Sequence, residues 1–308
     1  MKFPLFLQPG DTVALVSPSG KHQRASIERG AAILREQGYK VRIGRHAFDE
    51  NGIFAGTDRA RSADMQKALD DPAIKAIFFS RGGYGCIRTH EGLDWSKFLT
   101  NPKWIVGFSD ITVFHAFLAR HEIASVHSVM TGSFEADGVL TPSFLRLMEI
   151  LRGDLTHFSH QEIPPHPLNR PGKASGILTG GNLSILQSLR GTPLDIRPKG
   201  KILFIEDLNE LYYHLDRMLR NLKAGGILQN LSGLIVGHFT GMKDGAAAYG
   251  QTAAEIIREA VANYDYPVLF NYPAGHELPN DPILLGAKVE INITRSQASL
   301  AFRGSSSS

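Results

Sequence analysis

Thr12 to Ile43, TVALVSPSGKHQRASIERGAAILREQGYKVRI, reads as strand, loop, helix, strand. Thr12–Ser17 is an apolar run closed by Pro18–Gly20, the pattern of a buried strand entering a loop. Ile27, Ala31, Ile33 and Leu34 recur at roughly helical spacing over 23–37. Gly38 then supplies the residue that commonly ends a helix in left-handed conformation. Tyr39–Ile43 is the next strand. Downstream the pattern repeats, with a helix over 58–70, strands over Ala73–Ser80 and Lys103–Val106, a helix over Ile111–Arg120 and a short strand over Ala124–His127. Such alternation predicts an α/β domain, a parallel sheet covered by helices, over residues 1–160.

Residues 159–176 carry four of the 16 prolines. Fixed φ and a missing N–H break regular structure there, so 161–175 is read as a proline-rich linker. A second domain follows over 176–303. It holds strands at Ile177–Thr179, Lys201–Ile205, Leu234–Val236 and Val268–Phe270, with a short helix after Gly180-Gly181. Leu211, Leu215, Met218, Leu219 and Leu222 form one helical stripe, closed by Gly225-Gly226 and read as core. Thr252 and Glu255 form a capping box opening a helix over 253–262. The end, ILLGAKVEINITRSQASLAF, alternates and turns near Arg295-Ser296, as antiparallel strands do. The second domain is therefore expected to be β-rich α+β, and 304–308 a flexible tail.

Thirty-three Lys and Arg against 30 Asp and Glu leave a charge of +3. With no dense basic block, that is too weak and dispersed for phosphate-backbone binding, so no nucleic-acid partner is expected. The single cysteine, Cys86, excludes an intrachain disulfide framework. Pro4, Pro9 and Asp11 interrupt the first apolar stretches, so no signal peptide is read. No run of about 18 apolar residues exists, so no membrane insertion is expected. These readings point to a cytoplasmic protein. No HExxH, CxxC or other compact ligand cluster appears, so neither metal nor cofactor is expected.

The sharpest local feature is Trp104–Ile111, WIVGFSDI, where an apolar strand meets Gly-Phe-Ser-Asp and then a helix. A nucleophile would stand on such a turn, with the backbone N–H groups of the next turn free to hold an oxyanion. Ser109 could instead simply cap the helix. A serine nucleophile needs a base and an orienter for it. His276, in the loop Pro273–Glu277, is one candidate base and His127 another; His115 reads as a packing residue. Glu206 ends an apolar strand and is a candidate orienter, with Asp207 and Glu210 as rivals. Ser80–Gly85, SRGGYG, follows a strand and matches neither a dinucleotide fingerprint nor a P-loop. Its glycines suit an anion or oxyanion pocket, and Arg81 could meet a carboxylate.

Eight stretches together carry a resemblance: VALVSPSG (13–20), SRGGYG (80–85) with GLDW (92–95), VGFSD (106–110), GGNL (180–183), IED (205–207), GLIVGHF (233–239) and PAGH (273–276). The chain resembles the LD-carboxypeptidases, serine peptidases that include murein tetrapeptide carboxypeptidases. That resemblance implies an N-terminal Rossmann-like domain and a C-terminal β-rich domain. It implies Ser109 as nucleophile, Glu206 as the carboxylate and His276 as the base, with backbone N–H groups of Gly83 and Asp110 forming the oxyanion hole. Substrate contacts are expected from Arg81, Gly82, Tyr84 and His127. The implied reaction releases terminal D-Ala from muropeptide tetrapeptides in a cytoplasmic homodimer. Related members cleave microcin-type peptide–nucleotide adducts, and a non-catalytic muropeptide-binding protein is the alternative from another class. Many members read His-Gly-Pro where this chain has His127-Ser128-Val129, a departure that bears on substrate preference.

Overall fold

A computed structural model describes residues 1–158 and 161–302 of the 308-residue chain. The expected flexible tail, 304–308, lies outside the described residues. The chain divides into two units, one of residues 1–154 with 281–284, the other of 155–280 with the residues from 285 onward.

The first unit begins β1 (Thr12–Val16), α1 (Arg24–Glu36), β2 (Lys40–Ile43), α2 (Asp58–Asp70), β3 (Ile74–Phe79), α3 (Cys86–Glu91) and α4 (Ser96–Thr100). It continues with β4 (Trp104–Val106), a 3₁₀ turn (Ser109–Ile111), α5 (Thr112–Arg120), β5 (Ser125–His127), the small hairpin β6 (Glu135–Ala136) and β7 (Val139–Leu140), and α6 (Pro142–Arg152). β2, β1, β3, β4 and β5 lie side by side and pair in parallel. Val13–Val16, Ala76–Phe79 and Trp104–Val106 are buried throughout. That is why these strands read as continuous apolar runs: helices cover both faces of a parallel sheet. Gly38 ends α1 at φ +91°, as its position predicts.

α6 forms where the sequence reading has no element. Its signals are local: Thr141 caps it by accepting from the Phe144 N–H, Pro142 stands in the first turn and Gly153 ends it in left-handed conformation.

The second unit contains β8 (Gln161–Ile163), β9 (Gly172–Asn182), α7 (Leu183–Ser188), β10 (Ile202–Leu208), α8 (Tyr212–Ala224), β11 (Gly233–Thr240), α9 (Ala253–Ala260) and β12 (Val268–Leu269). The chain then forms β13 (Ile283–Leu285), β14 (Lys288–Ile293) and β15 (Ala298–Phe302). Seven strands run in the order β12-β11-β10-β9-β14-β15-β8. β9 serves both kinds of pairing. Its second half pairs in parallel with β10, and its first half runs antiparallel to β14. The stretch read as a linker supplies β8 and the start of β9, and its four prolines fall between those strands. Leu183 and Leu186 of α7, Leu215, Met218, Leu219 and Leu222 of the predicted stripe in α8, and Ile256 and Ile257 of α9 bury against β10 and β11, whereas Leu211 precedes the helix as its half-buried N-cap. The Thr252–Glu255 capping box is formed.

One strand is corrected. Ile283–Leu285 belongs not with the terminal antiparallel strands but beside β5 in the first sheet. A three-residue apolar run is compatible with either sheet; periodicity carries no information on which one buries it. The overall class is α/β, with a parallel N-terminal sheet and a β-rich mixed C-terminal sheet carrying helices.

Candidate active site

In each unit the chemistry-bearing residues gather at the carboxyl ends of parallel strands, where open α/β sheets place their ligands. In the first unit these are the segments after β1 (Ser17–Gly20), β3 (Ser80–Gly85) and β4 (Gly107–Asp110). β4 is only three residues long and the chain must turn at once into α5. Ser109 makes that turn at φ +63°, a left-handed conformation that costs a non-glycine residue of order 1–2 kcal/mol. A left-handed residue at a strand-to-helix junction is the backbone conformation of a nucleophile elbow. Gly82 makes the turn possible: a Cβ there would lie 2.9 Å from Ser109 Cβ and 3.0 Å from its Oγ.

Asp110 follows with its side chain buried. Ser19 Oγ donates to Asp110 Oδ2 at 2.5 Å, and the Cys86 N–H donates to the same oxygen at 2.8 Å. Burial raises the Asp110 pKa against the pull of these hydrogen bonds. His115, expected to be a packing residue, is buried in α5. Its Nε2 lies 2.8 Å from the Gly107 carbonyl and its Nδ1 2.8 Å from Ser125 Oγ. The carbonyl can only accept, so Nε2 carries the proton and Nδ1 accepts from the serine. Burial pushes the His115 pKa down to about 4, so the ring is neutral and pins the start of the turn.

In the second unit Glu206 and Asp207 lie near the carboxyl end of β10, both fully buried. The pairing with β11 slips between Ile205 and Asp207, an irregularity of the kind that re-aims side chains. Glu206 Oε2 lies 2.6 Å from His276 Nδ1. An ionised carboxylate only accepts, so Nδ1 donates and Nε2 is left as the basic nitrogen. The loop carrying His276 is laced along β11: the Tyr272 N–H donates to the Val236 carbonyl at 3.1 Å and the His238 N–H to the Ala274 carbonyl at 2.8 Å. Gly275 stands at φ +141°, and a Cβ there would meet His238 Cβ at 2.9 Å and Glu206 Oε2 at 3.2 Å. The imidazole can approach the carboxylate this closely only because residue 275 has no side chain.

The rival orienters are otherwise engaged. Asp207 accepts from Asn182 Nδ2 at 3.0 Å and from the Ser184 N–H at 2.9 Å, anchoring the start of α7. Burial, reinforced by the neighbouring Glu206 charge, pushes its pKa up to about 7. Glu210 pairs with His214 at 3.0 Å. Of the expected substrate contacts, Arg81 and Tyr84 are exposed. The Arg81 guanidinium donates to the Lys21 carbonyl at 3.1 Å, and the Tyr84 ring lies 5.9 Å from that of Phe54. His127 is fully buried, 5.8 Å from the Phe108 ring and 6.3 Å from that of His115, so its ring is out of solvent's reach. Gly83 has φ +110° and packs on Gly20, while it is Gly82 that abuts Ser109.

The sequence reading names Asp110 only for its backbone and overlooks Ser19, Cys86 and His238. Ser19 and His238 are signalled only by lying within quoted motifs and Cys86 only by following SRGGYG, since the partners of Ser19 and Cys86 lie far along the chain. Among the described residues no cluster of three or more His, Cys, Asp or Glu could hold a metal ion, and no helix is long and apolar enough to cross a membrane.

Comparison with known proteins yields two family matches. The LD-carboxypeptidase N-terminal domain matches residues 13–128, and the LD-carboxypeptidase C-terminal domain matches residues 175–291. A probable murein peptide carboxypeptidase of Bacillus subtilis is 31% identical over 96% of this chain and 93% of its own length. A murein tetrapeptide carboxypeptidase of Pseudomonas aeruginosa is 30% identical over 89% and 91% respectively. The crystal structure of a muramoyltetrapeptide carboxypeptidase from Oxalobacter formigenes superposes with a TM-score of 0.84 at 28% identity, over 94% of this chain and 98% of that one.

Proposed function

The chain belongs to the LD-carboxypeptidase family of serine-type carboxypeptidases, and from that premise we propose that it releases terminal D-Ala from muropeptide tetrapeptides. The observation that carries the proposal is the buried Glu206 carboxylate 2.6 Å from His276 Nδ1, a pair suited to deliver a basic Nε2. In this reading His276 takes the Ser109 proton as the hydroxyl attacks the scissile carbonyl. Glu206 holds the imidazole in the productive tautomer and stabilises its protonated form. Backbone N–H groups of Gly83 and Asp110 receive the oxyanion, each contributing about 3 kcal/mol. His276 then protonates the departing amine of D-Ala, and water resolves the acyl-enzyme. Arg81 is proposed to meet the terminal carboxylate, aided by Gly82 and Tyr84. The protein is further proposed to act as a cytoplasmic homodimer, the state that the family resemblance implies.

The test is mass spectrometry of a purified tetrapeptide digest, with loss of one D-Ala as the expected result. Ser109→Ala is expected to lower kcat at least about 10⁴-fold. Wild-type kcat in that variant would exclude Ser109 as nucleophile. Amidation of the substrate's terminal carboxylate is expected to lower kcat/KM sharply; equal rates for acid and amide would remove Arg81 from the scheme. Cleavage of a peptide–nucleotide adduct in place of the tetrapeptide would reassign the substrate. Binding of the tetrapeptide without turnover would favour a non-catalytic binder.

A further inference from the structure

We propose that the Asp110 side chain is a positioning residue for the reaction: its buried carboxylate ties the segments after β1, β3 and β4 together and so holds the strained Ser109 turn in place. The inference rests on the serine-peptidase reading above and deepens it, since that reading uses only the Asp110 backbone N–H.

The three segments come from distant parts of the chain. Ser19 lies 91 residues from Asp110 and Cys86 lies 24 residues away, yet both donate to the single oxygen Asp110 Oδ2, at 2.5 and 2.8 Å. The Gly85 N–H also faces this carboxylate. Behind it, Pro18, the residue before Ser19, is fixed through its carbonyl, which accepts from Thr89 Oγ1 at 2.7 Å and from Arg61 Nε at 3.1 Å. Arg61 is itself buried, so the anchor is continuous with a buried hydrogen-bonded layer.

Two features show what the anchor does. Ser109 adopts φ +63° one residue before Asp110, and a conformation of that kind persists only where its surroundings over-determine it. The segment held by the Cys86 N–H also contains Gly82. A Cβ at Gly82 would lie 2.9 Å from Ser109 Cβ and 3.4 Å from the Asp110 nitrogen. One carboxylate oxygen therefore restrains both the turn and the glycine segment that presses on it. Burying a carboxylate is unfavourable unless its hydrogen bonds compensate, and an apolar residue of similar volume would fill the space without that penalty. What the apolar residue could not do is accept two N–H and O–H donors from separate loops.

The experiment compares full-length Asp110→Ala, Asp110→Asn and Ser19→Ala with wild type. It measures kcat and KM on the tetrapeptide, the rate of Ser109 acylation by a fluorophosphonate, and the thermal midpoint. Asp110→Ala is expected to lower kcat about 100-fold, the scale of a displacement of about 1 Å at a reacting atom. KM should stay within about twofold, because uniform binding is untouched. The acylation rate should fall in parallel with kcat. Asp110→Asn, which can place an amide oxygen at the Oδ2 position, is expected to recover most of the loss. Ser19→Ala should fall between wild type and Asp110→Ala.

A kcat in Asp110→Ala within about twofold of wild type overturns the proposal, as does a loss that appears in KM alone. A falling thermal midpoint with no rescue by asparagine would make the residue merely structural and would also overturn it. If Asp110→Ala does not fold, Ser19→Ala decides: unchanged kcat and acylation rate refute the anchor. A wild type that is neither active nor acylated at Ser109 defeats the serine-peptidase reading together with this one. Normal wild-type acylation that Asp110→Ala leaves untouched defeats only this one.

Discussion

Around Ser109 the first unit works mainly with backbone, whereas around His276 the second works mainly with charge. The serine turn depends on a positive φ, on a glycine that leaves room at 2.9 Å, and on carbonyls and N–H groups tied down by Asp110 and His115. The imidazole depends on a fully buried carboxylate 2.6 Å away, beside a second buried carboxyl group. Each region borrows one device from the other: Asp110 is a buried acid in the backbone-built region, and Gly275 a spacing glycine in the charge-built one. The difference teaches that a hydroxyl gains from precise placement, while an imidazole also needs its tautomer specified.

The contrast can be broken most forcefully at Glu206. Glu206→Gln presents the His276 ring with an amide, which can stabilise the wrong tautomer. kcat on a tetrapeptide is expected to fall about 10⁴-fold, with circular dichroism unchanged. A loss under about tenfold would mean that charge is not what the second region contributes.

Next in size is Gly82→Ala, which leaves every titratable group in place and alters the space beside Ser109 and the Asp110 nitrogen. Its expected effect is about 100-fold in kcat, read together with the rate of fluorophosphonate acylation. If acylation proceeds at the wild-type rate, close backbone approach is not the device that sets the serine.

The pH dependence of stability sharpens the comparison, because His115 and Asp207 carry opposite signs. His115 has its pKa lowered from 6.5 to about 4 by burial. Between those values the unfolded chain binds more protons, so this group adds stability as pH rises, and that stability is lost on acidification. Asp207 has its pKa raised from 3.8 to about 7. There the folded chain holds the extra proton, so its contribution is complete below 3.8 and is lost as pH rises towards 7. Urea midpoints followed across that window should show a steeper fall with rising pH in His115→Gln. Asp207→Asn should show a steeper rise. Identical slopes in both variants would refute the two assignments.

The smallest expected effect lies outside both regions. Thr252→Ala removes the capping box of α9 and should cost about 1 kcal/mol of stability by urea denaturation, leaving kcat unchanged. A fall in kcat would show that the helix contributes to more than the core of the second unit.

Several of these features are legible in residue order alone. β1 to β5 and α1, α2 and α5 of the first unit announce themselves through apolar runs and helical spacing, and Gly38, Leu215–Leu222 of the α8 stripe and the Thr252–Glu255 box behave as local rules require. Ser109 is visible because a strand, a turn and a helix meet there, and Glu206 because a carboxylate ends an apolar strand. α6 is equally legible, from Thr141, Pro142 and Gly153.

Other features have no local trace. That Ile283–Leu285 sits beside β5, that Gly82 is the glycine pressed against Ser109, and that one oxygen of Asp110 receives Ser19 and Cys86 depend on partners tens of residues away. The physical reason is range. Propensity, capping and periodicity act within a few residues, so residue order alone settles element types and the chemical kinds of the reactive groups. Which buried donor meets which acceptor is settled only when distant segments pack, because a hydrogen bond needs its partners within about 3 Å, a distance that only the folded chain sets.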